Sequence, residues 1–270
     1  MNNTFNINRF GLLLKRQWLD FGKIYLISLL VVAGVLIGFY SYYIPSIEKR
    51  TGNFDYEGNL DLRFRYGIFL ILGFLFTSTV ASGYFSILGQ KSRAILELMT
   101  PASITEKLLS GIFYTAIVSL TGYLVIFYLV DLSFVKYLNS NIDAFRITNP
   151  KVAEAQSITY QMFNDKNYRG YLEYFFAIPF LITSIFLLGS IYFNRFHYIK
   201  TAISVMIFSG IAFYAIYKAG GILTKNMVNI RHRGAHNDEE LIFLLILLVT
   251  SGLTLIFWTI AHIRLKEKEV

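Results

Sequence analysis

The sequence predicts an all-α integral membrane protein, and three observations lead to this fold class. Hydrophobic residues make up 55% of the 270 residues, charged residues make up 16%, and the mean hydropathy is +0.51. Ordinary soluble proteins contain about 25% charged residues. The apolar residues also form continuous runs of about 20, the length that a helix needs to cross a bilayer. These runs lack the alternation of barrel strands, so each is expected to be a helix.

Six runs without Asp, Glu, Lys or Arg are predicted to be transmembrane helices. They cover residues 24–44, 66–88, 108–130, 174–193, 201–217 and 241–261. Tyr and Trp residues near the run ends fit the interfacial position that amphipathic rings prefer. The first run is longer than the apolar core of a signal peptide, so it is expected to remain as a span. The chain, 1–270, is predicted to form a single transmembrane domain.

The distribution of basic residues predicts the orientation. Lys and Arg are more frequent per residue in the loops on the N-terminal side, including the short 194–200 connection. The positive-inside rule then places both termini in the cytoplasm, and the expected location is a bacterial inner membrane. The net charge of +8 is attributed to these flanking cations beside membrane lipid, with no role in binding nucleic acid.

Residues 5–23 precede the first run and have an amphipathic pattern. Apolar side chains recur at helical spacing, at Phe10, Leu13, Leu14, Trp18 and Phe21. Charged residues occupy much of the remaining surface, as in a helix that lies in the membrane interface. The prediction is a separate interfacial helix on the cytoplasmic side. The alternative is that these residues simply extend the first span.

The loop 131–173 after the third run is predicted to be external. Asn149 followed by Pro150 matches the cap and first residue of a helix. Apolar residues at helical spacing follow, at Val152, Ala155, Ile158 and Met162. This helix is interpreted either as a lid over a pathway or as a helix resting on the membrane.

Residues 89–107, between the second and third runs, carry the most specific local pattern. A short helix is predicted over residues 92–99, and Pro101 ends it because the residue before a proline disfavours the α conformation. Ser103 is followed three residues later by Glu106, which is the capping-box spacing. We therefore expect a short cytoplasmic helix, a sharp break, and a capped start of the third span.

This pattern resembles the permeases of ABC-2-type transporters. The resemblance rests on Glu97-Leu98-Met99-Thr100-Pro101-Ala102-Ser103 and on Glu106-Lys107-Leu108-Leu109. It implies a coupling helix that docks on a separate ABC ATPase subunit, and a pathway shared with a second permease copy or a paralogue. It assigns ATPase coupling to Lys91, Arg93, Glu97, Leu98, Thr100, Pro101, Glu106 and Lys107. The mostly polar residues 218–240 depart from the pair of re-entrant helices often found in this family.

The implied function is the membrane subunit of an ATP-driven exporter with an unidentified substrate. Lys91-Ser92 lacks the glycine frame of a P-loop, and the chain has no HExxH or GxSxG motif. The chain is therefore not expected to be an enzyme or to hold a cofactor, and ATP and Mg²⁺ would bind the partner. The six runs also lack the ionisable residues of ion-coupled transporters. The alternative is a non-transport scaffold or assembly subunit of a larger envelope complex.

Small residues and one proline suggest contacts within the spans. Gly34 and Gly38 form a G-x-x-x-G pattern in the first run, and Ser78 and Ser82 repeat this spacing in the second. Such residues allow close helix packing, although glycine is also common in membrane helices generally. Pro179 lies inside the fourth run and is predicted to kink that helix, as a gate or as a purely structural feature.

Two histidines are weak candidates for a metal site. His232 and His236 are four residues apart and would share one face of a helix. Arg231 and Arg233 would repel a cation there, so the prediction is a solvated loop without a metal. The chain has no cysteine, which excludes disulfides and thiolate ligands.

Overall fold

The computed structural model describes residues 5–45, 54, 59–89, 99–164, 174–224 and 235–269. Within these ranges the chain is mainly helical and has no strand beyond one isolated bridge between Phe54 and Leu60. This confirms the predicted all-α class. The helices are α1 (Ile7–Tyr42), α2 (Phe64–Tyr84), α3 (Ile104–Ile112), α4 (Ser119–Ser140), α5 (Ile142–Thr148), α6 (Ile158–Asn164), α7 (Ala177–Tyr192), α8 (His197–Thr224) and α9 (Ala235–Glu269).

Five helical stretches are long and apolar enough to cross a membrane. They are Ile7–Tyr42, Phe64–Leu88, Ile104–Ser140, His197–Ala219 and Leu241–Lys268. The third combines α3 and α4, which are joined by a π-helical segment over Phe113–Val118. Helix α7 is apolar but has only 16 residues. It is about 24 Å long at 1.5 Å per residue, shorter than a bilayer core, so the count of six spans stays a prediction.

The chain divides into two compact units. The first unit comprises Asn6–Val80 and Phe113–Glu173, and the second comprises Met1–Phe5, Ala81–Ile112 and Tyr174–Val270. The single domain expected for 1–270 stays a prediction.

An aromatic core holds the first unit together. The rings of Phe69 and Phe127 lie 4.7 Å apart; Phe127 and Tyr123 belong to one buried cluster, and the partly buried Phe69 packs against it. The Tyr123 hydroxyl donates to the Phe69 carbonyl at 2.6 Å, so α4 is bonded as well as packed to α2. The Tyr25 hydroxyl on α1 likewise donates to the Val118 carbonyl at 2.7 Å. Buried aromatic hydroxyls need such acceptors, and these bonds set the register of the three helices.

The second unit packs α7 against α8 and α9. Small residues permit this contact, because a Cβ atom added to Gly189 on α7 would overlap the Thr201 side chain on α8. Ser190 and Thr201 are buried and donate to carbonyls in their own helices. Small and hydroxyl residues are typical of helix contacts in membranes, where backbones must approach closely.

The N-terminal helix differs from the predicted arrangement. Residues 7–42 form one continuous helix, so no break separates the segment predicted to be interfacial from the first span, and its position at the membrane interface stays a prediction. Trp18 explains the continuity. Its ring stacks on Tyr114 at 6.3 Å and contacts Tyr25 edge-on, and Tyr114 donates to the Leu14 carbonyl at 2.7 Å. The helix is thus packed against its neighbours on both sides of the expected boundary.

The segment 131–173 also differs. Helix α4 continues to Ser140, ten residues beyond the predicted end of the third span. The helix expected to start at Pro150 is wrong, since Asn149 is the C-cap of α5 and its side chain accepts from Lys151 N at 3.2 Å. Residues 152–157 are not helical, and α6 begins at Ile158.

Candidate functional site

The predicted coupling segment is described from Met99 onward. Met99 has 72% of its surface exposed and Pro101 is also exposed, whereas Thr100 is buried. The Ala102 amide donates to the Thr100 carbonyl at 2.8 Å, which closes the sharp turn at the proline. The predicted break is therefore present and presents an apolar tip. Four of the predicted coupling residues lie outside the described residues: Lys91, Arg93, Glu97 and Leu98.

A reciprocal capping box begins the helix after this turn, as predicted. The Ser103 amide donates to Glu106 Oε2 at 2.9 Å, and the Glu106 amide donates to Ser103 Oγ at 3.3 Å. Glu106 is fully buried and Lys107 is 3% exposed. Both were predicted to serve ATPase coupling. Because both side chains are buried, they could contribute to ATPase docking only by positioning the exposed tip.

Contacts of the second unit hold the two flanks of this segment together. The Tyr84 hydroxyl on α2 lies 3.3 Å from Ser110 Oγ on α3, both buried. Gly111 faces the Tyr84 and Phe85 rings so closely that an added Cβ would lie 2.9 Å from the Phe85 ring. The described chain therefore ends one member of a joined pair of helices before residue 90 and begins the other at Ile104.

The predicted packing residues fall into two classes. Ser78 and Ser82 are buried, and Ser78 donates to the Leu75 carbonyl at 3.1 Å. Added Cβ atoms at Gly34 and Gly38 would meet nothing within 4 Å in the described chain. The G-x-x-x-G face is therefore not used for packing among the described residues.

Pro179 does not kink a helix interior. Helix α7 begins at Ala177 with Phe176 as its N-cap, so Pro179 lies in the first turn. First-turn amides have no partner inside their own helix, and the missing N–H costs nothing there. The predicted kink is therefore replaced by a helix start.

The predicted absence of a metal ion is not tested at the histidine pair. His232 lies outside the described residues, and only the backbone of His236 is described, within α9. Among the described residues no group of three or more His, Cys, Asp or Glu side chains could hold a metal ion.

The sequence patterns did not predict a buried ion pair in the first unit. Arg65 Nη1 on α2 donates to Asp131 Oδ1 on α4 at 3.0 Å. The side chains are 3% and 0% exposed. The Tyr40 hydroxyl on α1 donates to the same oxygen at 2.9 Å, and the Ile158 amide donates to Oδ2 at 2.8 Å. One carboxylate thus joins three long helices and the start of α6.

Arg65 completes the network. Its Nη1 also donates to the Gln156 carbonyl at 3.1 Å, and its Nε donates to the Leu62 carbonyl at 3.3 Å. Burying two ions costs free energy that is recovered only when their polar atoms are bonded, as both Asp131 oxygens and the Nη1 and Nε of Arg65 are here. The arrangement therefore fixes structure. Asp131 is fully engaged and is not presented to a solute.

Further hydrogen bonds tie residues 152–161 to the same helices. Asn139 accepts from the Ala155 amide at 2.9 Å and donates to its carbonyl at 3.0 Å. The Tyr66 hydroxyl donates to Gln161 Oε1 at 2.5 Å. The two bonds of Asn139 occupy the Ala155 backbone groups that a helix from Pro150 would have bonded internally.

A sequence signal for the ion pair existed. Arg65 directly precedes the run 66–88, and Asp131 directly follows the run 108–130. The predicted topology places both on the same side of the membrane with opposite charges. Because the predicted runs contain no charged residues, Arg65 and Asp131 fall in the predicted loops. In the structure, α2 includes Arg65 and α4 includes Asp131.

No family model, curated protein or solved structure matches this chain. Its function must therefore be argued from its own residues.

Proposed function

We propose that this chain is the permease subunit of an ATP-driven ABC-2-type exporter in a bacterial inner membrane, with both termini in the cytoplasm. The observation that carries the proposal is the turn at Pro101, followed by the capped start of α3 at Ser103 and Glu106. This turn lies between two stretches that are long and apolar enough to cross a membrane. A separate ABC ATPase subunit would dock on the segment 91–101 and supply ATP and Mg²⁺.

The geometry supports a lever. The Ser103–Glu106 cap joins the exposed tip rigidly to α3, and the contact between Tyr84 and Ser110 joins α3 to the end of α2. When two ATPase subunits close on nucleotide, they would push the tip and tilt both helices. The exporter would contain a second copy of this chain or a paralogue.

The test is a pull-down from native membranes in mild detergent, with ATPase activity measured on the eluate. We expect a P-loop subunit to co-purify with the parental chain. Met99→Glu should abolish its recovery, because a charge would enter the apolar contact at the exposed tip. Replacing Arg93 and Glu97 with alanine should act in the same direction.

Ile147→Glu is the matched control. Ile147 is an apolar residue of the first unit with 86% of its surface exposed, and we place it on the opposite side of the membrane. This variant should retain the ATPase subunit. Recovery of a stable complex with no nucleotide-binding subunit would refute the exporter proposal and favour a scaffold in an envelope complex. Retention of the ATPase by Met99→Glu would refute the assigned docking tip.

A further inference from the structure

A cluster of basic and aromatic side chains lies where α7, α8 and α9 meet in the second unit. The turn 193–196 joins α7 to α8 beside the last turns of α9. Lys268 Nζ of α9 lies 3.5 Å from Asn194 Oδ1 in that turn. The Arg264 guanidinium lies over the Tyr192 ring, 5.2 Å from its centroid. We call this region, residues 192–200 together with 263–268, the basic–aromatic surface.

The charge on this surface is strongly positive. Its cations are Arg195, Lys200, Arg264, Lys266 and Lys268. Glu267 is the acidic residue within it, and Arg264 Nη1 contacts its Oε2 at 2.6 Å. Arg195, Lys200 and Lys266 are exposed to the surroundings. A multiply charged anion would therefore be attracted here, since the five cations outnumber the carboxylates of Glu267 and the adjacent Glu269.

Apolar side chains at the same helix ends are equally exposed. Phe196 has a φ of 54° and 70% of its surface exposed. Ile199 and Ile203 on α8 are 55% and 46% exposed, and Ile263 on α9 is 51% exposed. Ile199, Ile203 and Ile263 belong to stretches apolar enough to cross a membrane, and Phe196 directly precedes one of them. A ligand that satisfies both sets of side chains has an anionic head and an apolar tail.

We propose that the basic–aromatic surface binds the headgroup of an anionic phospholipid, whose acyl chains lie along the exposed apolar side chains of α8 and α9. Lys200 and Arg264 are the central cations, because each already stacks over an aromatic ring that limits its motion. A free phosphate would use the cations but leave the apolar residues unexplained. A zwitterionic headgroup carries its own cation, so its electrostatic attraction to these side chains is weaker than that of an anionic headgroup. The site does not depend on the exporter proposal.

Trp258 provides a local probe of this lipid. It lies on α9 six residues before Arg264, about 9 Å along the helix axis, and so within reach of acyl chains in the same leaflet. The chain has two tryptophans, so Trp18→Phe leaves Trp258 as the single indole fluorophore. The variant is reconstituted into phosphatidylcholine vesicles that contain an equal minor fraction of either brominated phosphatidylglycerol or brominated phosphatidylcholine. Bromine quenches indole fluorescence at short range.

We expect brominated phosphatidylglycerol to quench Trp258 several-fold more effectively per mole, since each cation near the surface favours an anionic lipid by about fivefold. Lys200→Ala with Arg264→Ala should bring the ratio close to one. Lys200→Arg with Arg264→Lys should keep it, which separates loss of charge from misfolding. Lys218→Ala is the matched control, because this lysine lies over the Tyr214 ring at the other end of α8.

Two results would overturn the proposal. One is equal quenching by the two brominated lipids in the Trp18→Phe chain. The other is an unchanged ratio in the double alanine variant when its circular dichroism matches that of the parent. A loss of selectivity in Lys218→Ala as large as in the double variant would also overturn it, because the effect would then be general to the basic protein.

Discussion

Removing the Asp131 carboxylate tests the central energetic argument about the first unit. Asp131→Ala deprives three donors of their acceptor: Arg65 Nη1 at 3.0 Å, the Tyr40 hydroxyl at 2.9 Å and the Ile158 amide at 2.8 Å. It also leaves the guanidinium of Arg65, with 3% of its side chain exposed, without its counter-ion. The variant therefore combines three lost hydrogen bonds with an uncompensated buried charge.

The magnitude follows from these contacts. Hydrogen bonds to a charged group contribute about 1.5–3 kcal/mol each, so three would give roughly 4.5–9 kcal/mol as an upper bound. Arg65 keeps its bonds to two backbone carbonyls, which lowers the loss. Breaking a buried ion pair costs about 3–5 kcal/mol in measured cases, and we expect this range. For a chain of this size it corresponds to a fall in melting temperature of roughly 6–20 °C.

The assay is reversible unfolding in mixed detergent micelles, with a thermal scan of the purified chain as a second measurement. Asp143→Ala is the matched control, because Asp143 pairs with Arg146 at 3.3 Å but is 93% exposed. Exposed pairs contribute little, so this variant should unfold like the parent. The reasoning is refuted if Asp131→Ala loses less than about 1 kcal/mol, or no more than the control.

Three further predictions concern other contacts. Gly189→Ala should destabilise the second unit by about 1–3 kcal/mol, because its Cβ would overlap Thr201, whereas Gly34→Ala has open space and should be neutral or stabilising in the same micelle titration. Ser103→Ala should cost about 0.5–2 kcal/mol through loss of the cap on α3, which hydrogen exchange at the first-turn amides would report as lost protection. Tyr123→Phe should cost about 0.5–1.5 kcal/mol by removing the hydroxyl that donates to the part-buried Phe69 carbonyl of α2 at 2.6 Å, and an unchanged melting temperature would contradict this.

Local patterns predicted the capped helix start well. The residues that form the cap, Ser103 and Glu106, are neighbours in sequence, and the bonds between them are those that the spacing predicts. The same pattern did not reveal that Glu106 is fully buried, because burial depends on residues far away in the chain. Sequence therefore located the turn, whereas the tertiary structure showed that, among its described residues, Met99 and Pro101 are exposed while Ser103 and Glu106 are buried.

Local patterns failed where a distant side chain competed for the backbone. The sequence Asn149-Pro150 suits a helix start as well as a helix end. Asn139 and Asp131 bind the backbone of Ala155 and Ile158, and these bonds leave residues 152–157 outside any helix. The Asn139 and Asp131 oxygens that prevent the helix lie about 16 and 27 residues away from the backbone amides that they bind. No local window of sequence spacing includes them.

The sequence by itself determined that the chain is helical and that several of its helices are apolar enough for a membrane, because both properties come from the local density of apolar residues. Only the tertiary structure decided which charged residues enter the helical core. Arg65 and Asp131 are 66 positions apart, and each alone would be costly to bury. Their pairing, together with the bonds from Tyr40 and the Ile158 amide of α6, offsets the cost of burying both charges. This pairing exists only once the helices lie side by side.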